Sequence, residues 1–571
     1  MRYIVKNGRT DFVLWLPVMA SDKERFAGEE LRFFFGEASG CRPETVTDAG
    51  NRPYIRLQTG DSAGDGYTIC TEANGYSITG DGGHGTVYGV YALCRTLFGL
   101  EFFTPDVWTI DRKRNVAFAE INLREKPDIP LRAIGIYPLH DEHAGFPLLP
   151  GALRMRVRGM ADGWGLCNHS YFRILPPAEY AAAHPDWYSA GDDGKNLCLT
   201  NADMRREFTE RLKRIVADSS AGYFMIGQQD NTTFCNCPRC TAALRKYGGS
   251  RSKLMVDFTN AVVRDLNAWL AETDPERRVV FCMFAYQQTV EPPPAAVTEG
   301  MPPLEQNLAV MLAPLGAAGD ISYFDRRNRL PYGTTYASGA GAPVAEILRG
   351  WKRITDRLFF WAYDIDYADA LVPFCGWDAV GENYENYKRF GTEYLFVEGT
   401  YSRYVPNFNH LRTYLHANMM WNTSADPEAL IDRFMHGYYG PAAGAMRLYF
   451  DALREHGRDI RRRYGRPMLY VRFDDFPDLS DKRYWPEAFL RRAADLHACA
   501  LSSAGRYAGR VSEEAVPVYY LLLLHYADRL SPSERKRMAA VVTAVAEKYG
   551  LYKGGEGIVT ANLQKIKEMT G

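Results

Sequence analysis

Tyr223-Phe-Met-Ile-Gly-Gln-Gln-Asp-Asn231 and Tyr394-Leu-Phe-Val-Glu-Gly399 share one form, a short apolar run that breaks off in amides or a carboxylate. Short apolar runs mark strands buried on both faces, as in a parallel sheet covered by helices. Further runs repeat the form at Leu131–Tyr137, near Gly165–His169, and at Leu197–Thr200, Val279–Tyr286, Leu308–Ala313 and Leu358–Tyr363. Helical spacing separates several of them, at Arg205–Val216, Lys253–Ala271, Ala345–Asp356 and Trp377–Arg389. Eight strands alternating with helices predict an α/β fold, a (β/α)8 TIM barrel, with a doubly wound open sheet as the alternative.

Outward from this core the pattern changes on both sides. Residues 1–128 read as a small N-terminal α/β domain. It has a strand at Phe12–Pro17, a helix capped by Ser21, a hairpin of Tyr67–Cys70 and Tyr76–Thr79 around Asn74-Gly75, and a helix at Val87–Phe98. Lys126-Pro-Asp128 is a linker. Residues 129–410 hold the barrel. Residues 411–571 are helical almost throughout, with Ser531-Pro-Ser533 starting the last long helix.

Composition bounds the function. The 571 residues carry 68 basic and 69 acidic groups, so no basic excess exists to bind phosphates and nucleic acid is excluded as a partner. No apolar stretch reaches the ~18 residues of a transmembrane helix. The start of the chain lacks the basic n-region, apolar core and cleavage site of a signal peptide. The expectation is a cytoplasmic protein, or a secreted or periplasmic one whose leader has been removed. Eleven cysteines, an odd number, argue against a disulfide scaffold. No cofactor motif appears, and oligomeric state leaves no signature. Tyr and Trp are abundant, at 36 and 10, which suits either a large core or an aromatic cleft that stacks on sugar faces.

In a barrel, chemistry sits where strands end. Asp230 ends the fourth expected strand and Glu398 the eighth. Taken alone, Asp230 reads equally as a cap or turn residue and Glu398 as a structural carboxylate. Together they could face each other across the mouth, and glycoside cleavage commonly needs two carboxyl groups. His169, Asn231, Tyr286, Trp361, Tyr363, Asp366 and Tyr401 end or flank strands and are candidates to bind substrate. The ordinary alternative is a satisfied core histidine for His169 and core packing for Trp361 and Tyr363. Cys235-Asn-Cys237-Pro-Arg-Cys240 suits a structural zinc site with Cys282 or a histidine as fourth ligand; a disulfide and plain buried thiols are the alternatives.

Gln228-Gln-Asp-Asn-Thr-Thr-Phe-Cys-Asn-Cys-Pro-Arg-Cys240 resembles the hallmark of the bacterial domain of unknown function 4838, which underlies glycoside hydrolase family 163. Leu175–Tyr180 with His184–Tyr188, Asn196–Asn201, Phe284–Tyr286 with Pro292-Pro293, Leu411–Leu415 with Trp421-Asn422, and Tyr438–Gly440 extend the resemblance over about 131–445. Separately, Gly85-Thr-Val-Tyr-Gly-Val-Tyr91 resembles the accessory α/β domain of α-glucuronidases and hexosaminidases. One segment departs: Trp361-Ala-Tyr-Asp-Ile-Asp-Tyr367 stands where the family has something nearer Trp-Asp-Tyr. The resemblance implies a hydrolase of β-linked N-acetylglucosamine in glycans, in which the substrate's acetamide oxygen is the nucleophile. Fold analogy makes Asp230 the acid, with Asn231 holding the acetamide. The runner-up is an α-glucuronidase-like hydrolase, with Arg132 and Arg403 as cationic groups for the substrate carboxylate. A glycan-binding barrel without activity is the third reading.

Overall fold

The computed structural model describes residues 2–62, 64–136, 139, 150–330, 341–400, 403–465, 468 and 478–570. Tyr137 and Tyr401 lie outside the described residues.

Seven of the expected runs form one parallel sheet. Its strands are β1 (Leu131–Gly135), β2 (Trp164–Leu166), β3 (Tyr223–Met225), β4 (Val280–Tyr286), β5 (Leu308–Ala313), β6 (Leu358–Tyr363) and β7 (Tyr394–Glu398). The order across the sheet is β1-β7-β6-β5-β4-β3-β2. The sheet is curled. Trp164 on the β2 edge and Tyr394 on β7 are separated by four intervening strands, yet their rings lie 5.2 Å apart. Trp164 also meets Phe359 of β6 at 6.4 Å. Between the two edges, Ala133 of β1 forms a parallel bridge with Arg158, and Arg158 N–H donates to the Arg132 carbonyl at 2.8 Å.

The expected third strand, Leu197–Thr200, is absent from the sheet, and β2 pairs directly with β3. Its backbone is engaged elsewhere. Leu197 bridges Tyr188, Cys198 N–H donates to the Trp187 carbonyl at 2.8 Å, and the Asn201 side chain caps the helix Ala202–Ala217. An apolar composition made this turn resemble a strand. The result is an α/β fold around a curled seven-stranded sheet where eight strands had been expected.

Alternation sorts the side chains. Leu131, Ala133, Met225, Cys282, Phe284, Ala309, Met311, Phe359, Tyr394 and Phe396 pack together inside the curl. The intervening residues, such as Leu395 and Val397, pack outward into the main core. Helices including Arg251–Thr273, Val344–Lys352 and Val380–Arg389 follow in the intervals the sequence assigns to them.

The N-terminal residues build a six-stranded mixed sheet with the helices Asp22–Ser39 and Gly85–Phe98. Ser21 closes a capping box with Glu24, as its position predicts. The hairpin is present as Tyr67–Glu72 against Gly75–Gly80, antiparallel. From Asn409 onward the described secondary structure is helical, beginning with Asn409–Trp421 and Pro427–Tyr439. Among the described residues, no helix is long and apolar enough to cross a membrane.

One buried carboxylate joins the N-terminal sheet to the curled one. Asp65 accepts from Arg132 at 2.7 Å, from Arg158 at 2.7 and 2.8 Å, and from the His84 amide at 2.8 Å. Both guanidinium groups hold its carboxyl well below the usual range against the cost of burial. Arg132 is fully buried in this pair and stacks on Tyr88 and Trp421. Breaking one partner of a buried pair strands the other charge, at a cost of about 3–5 kcal/mol. Asp65→Asn is therefore expected to lose stability on that scale in urea unfolding. A loss below about 1 kcal/mol, the scale of an exposed pair, would show that this junction does not hold the two sheets together.

Candidate active site

The C-terminal ends of the strands surround a cavity of about 230 Å³. Six sequence candidates line it: His169, Asp230, Tyr286, Trp361, Tyr363 and Glu398. The pleat explains most of this set. Phe284 and Tyr286 follow each other inward on β4, Trp361 and Tyr363 on β6, and Phe396 and Glu398 on β7. Trp361 sits beside Phe396 and Tyr363 beside Glu398 in the parallel register. The apolar layer therefore ends in a layer that carries hydroxyl and carboxyl groups.

Glu398 stands beside Tyr363 in this upper layer. The Trp361 indole N–H donates to its Oε2 at 2.5 Å. Burial pushes the carboxyl up to about 8. The bonds from Trp361 and Tyr367 oppose the shift, and the negative charges of Glu556 and Asp230 reinforce it. A group with this value keeps its proton at neutral pH, the state a general acid requires.

Asp230 has a different environment. Its side chain is 61% accessible, on the loop that follows β3. The Tyr286 hydroxyl donates to its Oδ1 at 3.0 Å and in turn accepts from Gln287 at 3.0 Å. Burial and the Asp230 charge hold the Tyr286 phenol above its ordinary value, so it remains a donor. His169 Nδ1 lies 2.5 Å from the Gln228 carbonyl, which can only accept, so Nδ1 carries the hydrogen. Its Nε2 lies 3.9 Å from Asp230 Oδ1. The two carboxyl groups thus share one cavity in contrasting surroundings, one largely withdrawn from water among Trp361, Phe396 and Tyr367 and one in polar, solvated space.

Other candidates fall elsewhere. The Asn231 side chain turns away from the cavity, accepting from Asn196 at 2.8 Å and donating to the Lys195 carbonyl at 3.1 Å. Buried Asp366 accepts from the Ala368 amide at 2.8 Å and shapes the turn after β6. Neither lines the cavity. Asp364 points outward to the helix Asn409–Trp421, paired with Arg412 and, at 2.9 Å, with His416. Arg132 is enclosed with Asp65, and Arg403 is not among the cavity residues, so neither supplies the cation of the α-glucuronidase reading. The three loop cysteines gather with Cys198, not with Cys282 or a histidine. Cys282 is inside the curl on β4.

Sequence reasoning missed Tyr367, Phe284, Phe396 and Glu556. Counting two residues back along the strands from Tyr286 and Glu398 would have found the two phenylalanines. Glu556 comes from the C-terminal segment, whose Gly557 carbonyl accepts from Ala370 N–H at 2.7 Å beside the cavity. A larger groove, about 890 Å³, runs along Arg277–Val280 and Pro302–Asn307 at the N-terminal ends of β4 and β5, the face of a barrel that supports stability rather than chemistry.

The family described as "Domain of unknown function (DUF4838)" matches residues 102–451. No curated relative matches the sequence. Among solved structures, a family GH115 4-O-methyl-α-glucuronidase with specificity for decorated arabinogalactans is similar at 10% identity and a TM-score of 0.55. That match covers 100% of this chain and 80% of that one. A GH138 enzyme targeting pectin rhamnogalacturonan II gives 12% identity, a TM-score of 0.49, and 98% and 90% coverage. A mutant Streptomyces plicatus β-hexosaminidase gives 13%, 0.38, and 76% and 90%. At its identity the first shows a shared fold.

The state of Glu398 has a signature in stability. The folded chain holds this proton up to about 8, whereas an ordinary glutamate releases it near 4.5. Between these values the folded state binds more protons than the unfolded one, so stability falls as pH rises, by up to about 1.4 kcal/mol per unit. The penalty is absent below both values and complete above both. Glu398→Gln is expected to gain on the parent by a few kcal/mol between about pH 5 and about pH 8, in parallel urea titrations. Buried Asp369 and Glu514, each pushed up to about 7, slope both proteins alike, so the difference is diagnostic. A difference that stays flat over that range would contradict the raised value.

Proposed function

The chain belongs to the DUF4838 family, and from that premise we propose that it is a glycoside hydrolase whose acid is Glu398 and whose second carboxyl group is Asp230. The observation that carries the reading is the contrast between the two carboxyl groups of one cavity. Burial pushes the Glu398 carboxyl up to about 8, whereas Asp230 is exposed and accepts from Tyr286. Divergent environments for paired carboxyl groups are how acid and base roles are divided at a single pH. The assignment reverses the expectation from fold analogy. Trp361 and Tyr367 hold the Glu398 carboxyl at the cavity wall, and its proton would pass to the glycosidic oxygen as the bond to the anomeric carbon breaks.

For the substrate we propose β-linked N-acetylhexosamine, N-acetylglucosamine above all. The sequence resemblance supports it, and so does the placement of Asp230. A carboxylate held by Tyr286 can accept the acetamide N–H and orient the acetamide oxygen toward the anomeric carbon. The internal attack forms an oxazoline. Water then opens it, and the Glu398 carboxylate takes the proton from that water. Trp361, Phe284 and Tyr363 line the cavity with aromatic rings on which a sugar could stack. An acidic sugar would need a cation. The described cavity residues include no Lys or Arg, which speaks against the α-glucuronidase reading.

A panel of chromogenic glycosides, extended by an N-glycan with terminal N-acetylglucosamine, tests substrate and activity together. Cleavage of the N-acetyl-β-glycosides with retention is expected. Cleavage of an α-glucuronide instead would overturn the substrate, and binding without turnover on every member would overturn the enzyme. Within the active panel, Glu398→Gln and Asp230→Asn are each expected to reduce turnover by about 10² or more on natural linkages. Glu398→Gln should spare substrates with activated leaving groups, which need little protonation, whereas Asp230→Asn should impair both kinds. The opposite pattern would exchange the roles, and parental rates in both variants would remove the pair from catalysis.

A further inference from the structure

Four cysteines unconnected with the cavity's chemistry converge beside the loop that presents Asp230. Cys235, Cys237 and Cys240 come from that loop and the start of the helix Pro238–Lys246. Cys198 comes from the turn that replaces the expected third strand. Their sulfurs all lie within 4.8 Å of one another. Cys198 Sγ is 3.7 Å from both Cys237 Sγ and Cys240 Sγ. A disulfide needs about 2.05 Å. A tetrahedron of thiolates around zinc, with metal–sulfur bonds of about 2.3 Å, has edges of about 3.8 Å. The observed spacing is therefore that of a metal site and not of a bonded pair.

The surroundings fit thiolates as well. Backbone amides donate to the sulfurs, Ala190 N–H to Cys235 and Cys240 N–H to Cys237, each at 3.4 Å. Cys237 caps its helix at the N-terminus, where the dipole favours negative charge. Cys198, Cys235 and Cys240 are buried and Cys237 is half-buried, so the set is closed on the protein side, as in structural zinc sites. The exposed Arg239, which pairs with Asp186, also hydrogen-bonds Cys237 and brings a positive charge beside the dianion that zinc and four thiolates make.

We propose that Cys198, Cys235, Cys237 and Cys240 bind one structural zinc ion that fixes the loop carrying Asp230. Binding converts four thiols to thiolates and releases four protons, with no change of oxidation state. The metal would staple two segments that already touch. Asn196, two residues before Cys198, donates to Asn231 at 2.8 Å and accepts from the Gln229 amide at 3.0 Å. Asp230 lies between those two residues. The zinc acts on its position and touches no substrate.

The test uses the full chain purified without chelator, with metal content read by mass spectrometry. About one zinc per chain is expected, as for a four-cysteine site. Exchange with cobalt should give a thiolate charge-transfer band and the ligand-field bands of a tetrahedral site. Cys198→Ser should lower zinc content at least twofold and weaken the charge-transfer band, whereas Cys282→Ser should change neither. If Cys198→Ser fails to fold, the parent's metal content and cobalt spectrum still decide. A parent that contains no zinc and takes none up, that carries iron instead, or whose mass is lower by two hydrogens per disulfide would overturn the proposal. So would full zinc occupancy in folded Cys198→Ser.

Discussion

The two-residue period of a strand, combined with parallel register, is the constraint on which this structure depends. On β7 it turns Tyr394, Phe396 and Glu398 to the inside of the curl and Leu395 and Val397 to the outside. On β6 the same period selects Phe359, Trp361 and Tyr363, and on β4 Cys282, Phe284 and Tyr286. Register then stacks these choices into layers, with ring against ring below and polar groups above. Slipping one strand by a residue would send its polar end into the outer core. The cavity is thus the top layer of the same packing that makes the core.

That origin explains the electrostatics. Glu398 continues an apolar column, so its carboxyl inherits the dry surroundings of Trp361 and Phe396 and loses much of the solvation that favours its charged form. Asp230 belongs to a loop beyond the short strand β3 and remains in water. Contacts from both ends of the chain frame this contrast. Asp65 with Arg132 and Arg158 fixes β1 against the N-terminal sheet. Asp364 with Arg412 and His416 fixes the end of β6 against the first helix of the C-terminal part. Glu556 returns from the C-terminal segment to the rim and adds negative charge near Glu398.

Much of this was legible in the sequence because buried parallel strands write themselves as apolar runs and end abruptly. The runs ending at Tyr286, Tyr363 and Glu398 delivered both the strands and the cavity walls. Leu197–Thr200 failed because composition does not report where backbone hydrogen bonds go. Its Cys198 amide is committed to the Trp187 carbonyl, and its Cys198 carbonyl to the Asn201 amide. Asn231 and Asp366 were inferred from adjacency to a strand end, and each is drawn aside by another polar partner, Asn196 for the first and the Ala368 amide for the second. Cys198 and Glu556 could not have been read at all, since each joins its neighbours across a long stretch of chain. Arg132 looked like a free cation only because its partner, Asp65, comes from the N-terminal part of the chain.

The proposed division of roles requires Glu398 to be protonated at neutral pH. Infrared difference spectra of the parent and Glu398→Gln, recorded across pH, report this directly through the carbonyl stretch of a protonated carboxylic acid. The account predicts a band present in the parent, missing in the variant, and lost with a midpoint near about 8. A Glu398 band that vanishes in the ordinary carboxylate range, near about 4.3, would contradict it.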